Sequence, residues 1–230
     1  MRLLVSVRDE AEALLAAESG ADFIDLKEPR EGALGGLPLP AILAIVKTLR
    51  EDGVSLPVSA TIGDLAMHEQ AAIAERVKAV GACGVDYVKV GIEPAPNAVA
   101  VLDLLAGCGQ TVVPVFIVDR GVDFGLVAHA CKLNFPALMA DTADKGAGSL
   151  FDGTAALDLH RFVETVRRAG KLVGLAGALR AAQLPGLLQL APDFAGFRTA
   201  VCRGDRGSAL DGERVRALAD RLHEARLVPA

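Results

Sequence analysis

Lysine is the scarcer base in this chain, with seven residues against 17 arginines in 230, and three of the seven sit at or just beyond the ends of short apolar runs. Those three are Lys27 in DFIDLKEP, Lys89 in VDYVKVG and Lys145 in MADTADKGAGSLFD. An amine held in apolar surroundings, or close to another cation, gives up its proton more readily than in water, and the free amine then adds to carbonyls. Asp25 and Asp141 flank these lysines in sequence and supply carboxylates that move protons or keep the remaining lysines charged. Such a set suits an amine-dependent aldolase. The competing reading is a layer of buried ion pairs that merely fills an interior, which is a poor device for stability. For Lys145 it is a solvated loop lysine.

Near the end of the chain, LAGALR and GFRTAVCRGDRG bring Gly177, Gly196, Arg198, Arg203 and Arg206 into two short segments. Glycine lets backbone N–H groups approach an anion closely, and the planar guanidinium fork matches phosphate. Gly177, Gly196, Arg198 and Arg203 are therefore candidate phosphate-binding residues, against the alternative of a solvated loop. Ser59, in PVSATIGD, is a further candidate for substrate contact. The glycines of GALGG (Gly32, Gly35, Gly36) suggest a flexible lid, or only a turn. His129, His160 and His223 fall on predicted helices. Only His68 follows a predicted strand end, so no metal-ligand triad emerges. Cys202 has no base beside it in sequence, which argues against a catalytic thiol.

The hydrophobic pattern supplies the scaffold these groups need. Short β-branched runs alternate with longer amphipathic stretches eight times along the chain. Strands are predicted near 2–7, 22–27, 56–61, 85–91, 111–117, 137–141, 171–176 and 193–198. Helices are predicted near 9–19, 38–51, 69–82, 97–107, 123–133, 157–169, 180–190 and 211–226. Gly20, Gly53, Gly84 and Gly170 are placed to stop four of those helices. Eight such units with no linker or composition break predict one α/β domain over residues 1–230, a single (β/α)8 TIM barrel. A doubly wound sheet calls for a Gly-rich turn after its first strand, and SVRDEAEA has no glycine.

Barrels carry their chemistry at the C-terminal ends of their strands. Because successive side chains alternate faces, Asp25 and Lys27 point into the barrel while Ile24 and Leu26 point out. The same alternation sends Tyr87, Lys89 and Gly91 inward, with Ser59, Thr61, Met139 and Asp141.

Composition narrows the rest. The chain is 52% hydrophobic and 23% charged, a mixture that folds around a core. A net charge of −5 argues against a sequence-independent grip on nucleic acid or an anionic membrane. Aromatics make up 4%, with no Trp, so platforms for stacking bases are poorly supplied. Cys83, Cys108, Cys131 and Cys202 are far apart and lack zinc spacing. The opening MRLLVSVRDE does not read as a signal peptide, and no apolar run approaches the ~20 residues of a membrane span. A reduced, cytoplasmic protein is expected.

Taken in order, LLVSVRDEAEA, ADFIDLKEPREGALGG, VSATIGD, DYVKVG, DTADKGAGSLFD, LAGALR and FRTAVCRGDR resemble the (5-formylfuran-3-yl)methyl phosphate synthase family of methanofuran biosynthesis. The resemblance covers nearly the whole chain, and its most specific parts are DxKxPxxGxLGG and DTAxKxxxxLFD. It implies a (β/α)8 lyase that condenses two glyceraldehyde 3-phosphate molecules into 4-(hydroxymethyl)-2-furancarboxaldehyde phosphate, with loss of one phosphate and two waters. It further implies Lys27 as the Schiff-base lysine, Lys89 and Lys145 as additional active-site lysines, and Asp25 and Asp141 as acid/base partners. No metal or organic cofactor is implied, and a homo-oligomer is. KGAGSLFD carries a single lysine where some relatives carry two, which leaves Lys145 more alone. Two other readings stay open at this point: a Schiff-base aldolase, lyase or isomerase acting on a different sugar phosphate, and a non-catalytic barrel that binds a phosphorylated metabolite.

Overall fold

Strands that are apolar on both faces must be covered on both, and here the covering is a ring of helices outside and a packed interior within. The computed structural model describes residues 1–32, 34–144, 146 and 148–227. Strands β1 (Arg2–Val7), β2 (Phe23–Leu26), β3 (Val58–Thr61), β4 (Tyr87–Ile92), β5 (Val112–Ile117), β6 (Ala137–Asp141), β7 (Leu172–Leu175) and β8 (Phe194–Phe197) pair in parallel and in chain order. β8 returns to β1 and closes the barrel. Around it lie α1 (Glu10–Glu18), α2 (Leu39–Glu51), α3 (Gln70–Gly81), α4 (Ala98–Ala106), α5 (Phe124–Lys132), α6 (Leu150–Gly153), α7 (Ala156–Arg168), α8 (Leu184–Leu190) and α9 (Gly212–Leu227). The predicted TIM barrel is the observed fold, with strand ends shifted by at most two residues.

The short α6 and the 3-10 turns at Ala181–Gln183 and Thr199–Val201 are additions to the predicted pattern. Pro185 accounts for one of them. It has no N–H to donate and sits in the first turn of α8, so the segment from 180 starts as a 3-10 turn and the α-helix begins afresh. The four predicted glycine stops take left-handed backbone angles, φ 97°, 75°, 85° and 72° for Gly20, Gly53, Gly84 and Gly170. No helix among the described residues is long and apolar enough to cross a membrane.

Two apolar layers follow from strand alternation. Outward-facing Val5, Ile24, Ala60, Val90, Phe116 and Leu138 are buried under the helices, against Ile45 and Leu49 of α2 and Phe162 and Val166 of α7. Inward-facing Leu4, Val113, Val115, Ala137, Met139 and Phe194 form a separate cluster inside the barrel. Fully burying a side chain of this size stabilises the fold by about 1.5–3 kcal/mol.

Register is pinned at the N-terminal rim. Asp22, Asp86 and Asp193 each precede an even-numbered strand, and each carboxylate accepts a backbone N–H from the start of the preceding strand: Leu3 at 2.7 Å, Val58 at 2.7 Å and Val173 at 2.8 Å. A one-residue slip would turn every inward group outward, so these pins decide what meets further along the strands. Ser6 and Ser59 both stand opposite Asp25, and Thr61 stands opposite Lys89.

Candidate active site

Four strands deliver a hydrogen-bonded cluster to the barrel interior. Asp25 is 1% exposed. Its Oδ1 accepts from Ser59 Oγ at 2.6 Å and from Lys89 Nζ at 2.9 Å, and its Oδ2 accepts from Ser6 Oγ at 3.0 Å. A carboxylate this deep is tolerated only when paired and hydrogen-bonded. The two hydroxyls and the Lys89 ammonium meet that requirement, and β3, between β2 and β4, supplies one of the hydroxyls.

Lys27 follows β2 directly, and its backbone N–H donates to the Val7 carbonyl at 3.0 Å, which holds it on the rim of the barrel. Its Nζ lies 3.7 Å from Asp141 Oδ2, a charge contact across the mouth with both side chains almost fully buried. Asp141 Oδ1 accepts the N–H of Thr142 at 2.7 Å, which fixes the carboxylate at the end of β6. Beyond it, Asp119 accepts Ala143 N–H and Asp144 N–H, and Asp152 caps α6 through Ser149. The backbone and side-chain hydrogen bonds from Ser149 hold Asp152 below the usual carboxylate range. Lys145 lies outside the described residues.

Gly177 and Gly196 line the same cleft as Lys27, Lys89, Asp25 and Asp141. Gly177 has φ 115°, and a Cβ there would come 3.0 Å from Thr142 Oγ1. A Cβ at Gly196 would press on Ala176 at 3.2 Å. Side chains at either position would intrude on the packing that shapes the cleft.

The arginines sort differently from the sequence expectation. Arg198 reaches the cleft wall, but all five of its N–H groups are engaged: Nε with the Arg206 carbonyl at 2.9 Å, Nη1 with the Ser6 carbonyl at 3.1 Å and Glu12 Oε2 at 2.5 Å, and Nη2 with Glu12 Oε1 at 3.1 Å and the Ser208 carbonyl at 2.8 Å. Burial by itself would lower its pKa, yet the hydrogen bond and charge of Glu12 leave it raised. Arg198 thus fastens β1, α1 and the loop after β8, and it has no donor left for phosphate. Arg203 lies in a surface groove between α1 and α9 with Glu18 and Asp211, because the turn at Thr199–Val201 carries it past the rim. The expectation that these two arginines meet phosphate gives way to this placement. Arg206, half-buried like Arg198, lies in the cleft with Lys27 and Asp141.

The GALGG segment turns inward. Leu34 is 1% exposed, packed with the interior cluster and close enough to Gly91 that a Cβ there would lie 2.8 Å from Leu34 Cδ1. Leu34 N–H donates to Asp64 Oδ1 at 3.0 Å, and the Gly35 carbonyl accepts from Thr61 Oγ1 at 2.8 Å and Glu28 N–H at 2.9 Å. Ala33 lies outside the described residues. Sequence reasoning missed Ser6, which alternation on β1 could have found, and Leu34, for which no local signal exists.

His68 is exposed. Cys202 is fully buried, and burial pushes its thiol pKa up, the opposite of what a nucleophile needs. Among the described residues no cluster of potential metal ligands occurs.

A closed (β/α)8 barrel with buried lysines and carboxylates at the C-terminal ends of its strands is the architecture in which barrel enzymes carry their active sites. Within that class the chain belongs to the 4-HFC-P synthase family, whose family model matches residues 3–219. It is 34% identical over 239 residues to the (5-formylfuran-3-yl)methyl phosphate synthase of Archaeoglobus fulgidus, covering 97% of this chain and all of that one. It is 39% identical over 215 residues to a Methylorubrum extorquens protein that bears the same name provisionally, covering 93% and 88% of the two chains. Among solved structures, phosphoribosyl anthranilate isomerase from Thermus thermophilus superposes with a TM-score of 0.67 at 19% identity, covering 97% of this chain and 99% of that one, a likeness of fold alone.

Proposed function

We propose that this enzyme condenses two molecules of glyceraldehyde 3-phosphate into 4-(hydroxymethyl)-2-furancarboxaldehyde phosphate, acting as a lyase through an imine on Lys27. Two trioses supply the six carbons, one phosphate leaves by elimination, the other stays on the hydroxymethyl group, and two waters are lost. The observation that carries the reading is the meeting, in one cleft, of Lys27, a carboxylate 3.7 Å from its Nζ and the glycine-lined ends of β7 and β8. An amine, a proton carrier and room for a phosphate are the parts such a condensation needs.

In this mechanism one triose phosphate, isomerised to its ketone form, condenses with the Lys27 amine and releases water. The iminium acidifies the neighbouring C–H, and Asp141 takes that proton. The resulting enamine attacks the aldehyde of the second triose. Lys89, held in place by Asp25, stabilises the alkoxide that forms, a task it shares with Lys145. Asp25 already accepts three hydrogen bonds, so its role is to position Lys89 rather than to shuttle protons. Lysine is itself the electron sink, and the chemistry uses no metal or organic cofactor. One domain spanning 1–230, a homo-oligomer and a cytoplasmic location complete the proposal.

The test is to incubate the protein with glyceraldehyde 3-phosphate and borohydride while following furan absorbance and phosphate release, then to map added mass on peptides. The expected result is a triose adduct on Lys27 with furan product. Product without an adduct removes the imine, and no product at all removes the substrate assignment in favour of another sugar phosphate.

A further inference from the structure

Three observations converge on the loop after β8. First, that loop is held from outside by the scaffold. Arg198 donates to the carbonyls of Arg206 and Ser208, Arg8 Nη1 donates to the Gly207 carbonyl at 2.7 Å, and Asp205 Oδ1 accepts Gly207 N–H and Ser208 Oγ. Second, the side chain presented by this tethered loop is the guanidinium of Arg206, which makes no hydrogen bond or ion pair among the described residues. Arg206 leans into the cleft towards Asp141, Asp64 and Glu28, half-buried, with burial pulling its pKa down and Asp141 opposing. Third, another stretch of the same cleft lining has a strained backbone and N–H groups without a protein acceptor among the described residues. Gly177 and Ala178 are consecutive residues of positive φ, 115° and 44°, and an alanine there is uncommon. The N–H groups of Gly177, Ala178 and Leu179 donate to no protein acceptor among the described residues, although all three residues line the cleft.

We infer that Arg206 is the side chain that binds a substrate phosphate, together with the N–H groups of residues 177–179, with Arg198 and Glu12 as its positioning residues. A planar fork of donors and successive backbone N–H groups in one cleft are a combination suited to a phosphate dianion. The strain at Ala178 is the local cost of turning those N–H groups towards a ligand. Glu12 serves two ends: it saturates Arg198, and through Arg198 it fixes the backbone that carries Arg206. The identity of the phosphate ester rests on the proposed reaction, but the site for phosphate does not.

The test separates the two. Wild type, Arg206→Gln, Arg206→Lys and Arg203→Gln are titrated with inorganic phosphate by calorimetry, and KM and kcat are measured with glyceraldehyde 3-phosphate. Losing charge-assisted bonds to phosphate should weaken its binding about 10- to 100-fold in Arg206→Gln. KM should rise in parallel while kcat changes less. Arg206→Lys should fall between, and Arg203→Gln should match wild type. Thermal melts confirm that each variant is folded. Equal phosphate affinity in wild type and Arg206→Gln overturns the inference, as does an absence of phosphate binding in wild type. If phosphate binding depends on Arg206 while wild type makes no furan product, the inference stands and the proposed reaction falls.

Discussion

Asp25 and Lys89 stand on β2 and β4, strands that do not pair with each other, yet their side chains meet at 2.9 Å inside the barrel, with Ser59 of the intervening β3 bonded to the same carboxylate oxygen. The contact exists because the strand registers place Asp25 beside Ser59 and Thr61 beside Lys89. Its energetics follow from burial, since each partner is the other's main compensation for leaving water. Lys89→Met should therefore lower stability by about 3–5 kcal/mol, by stranding the Asp25 charge. Adding Asp25→Asn to Lys89→Met should recover part of the loss, as an amide needs no counter-charge. Urea denaturation of the two singles and the double checks this, and strictly additive losses would show that the pair is not coupled.

The hydroxyls around Asp25 are graded by distance. Ser59→Ala removes a 2.6 Å bond to a buried carboxylate and should cost about 1.5–3 kcal/mol. Ser6→Ala removes a 3.0 Å bond and should cost less. Both should lower kcat more than they raise KM if Asp25 acts by holding Lys89, a split that a purely structural role would not produce.

Gly91→Ala offers a way to move Leu34 without touching it. The added Cβ would lie 2.8 Å from Leu34 Cδ1, so the leucine must shift out of the interior cluster. We expect a stability loss of about 1–3 kcal/mol, the usual range for overpacking, and a larger activity loss as water reaches the lysines. Leu34→Ala should restore much of the stability to the Gly91→Ala variant, but not the activity. Thermal melts and turnover on the double variant decide it.

The cap on α6 should titrate. Asp152 is held below the usual carboxylate range by its bonds from Ser149, so its folded pKa is lower than the unfolded value of ~3.9. The stabilisation is then complete above the unfolded value and fades as pH falls through the folded one. Asp152→Asn should loosen residues 149–153 at neutral pH, and the difference from wild type should vanish in strong acid. Amide exchange at Ser149 and Asp152, compared between the two proteins across pH, measures it. A difference independent of pH would mean that the charge does not matter.

Much of the candidate site is legible in the sequence alone. Asp25, Lys27, Ser59, Lys89 and Asp141 stand out because side chains on a strand alternate with a period of two, a rule of local geometry that needs no knowledge of neighbours. The same rule applied to β1 would have found Ser6 beside Leu4. Arg206 was visible only as one of three arginines in a short stretch, and its neighbours Arg198 and Arg203 looked equally suited to phosphate.

The eightfold alternation, the faces of the strands and therefore which polar groups enter the barrel follow from the order of residues alone, because these depend on periodicities carried by adjacent residues. Which of those groups are already engaged is set by the folded packing. Arg198 is spent on Glu12, 186 residues away in the chain. Leu34 fills the interior because Asp64 and Thr61, on another strand and its loop, hold its segment inward. Such pairings depend on contacts between remote segments, and a donor's availability to a ligand is settled only once every other claimant on it has been brought into place.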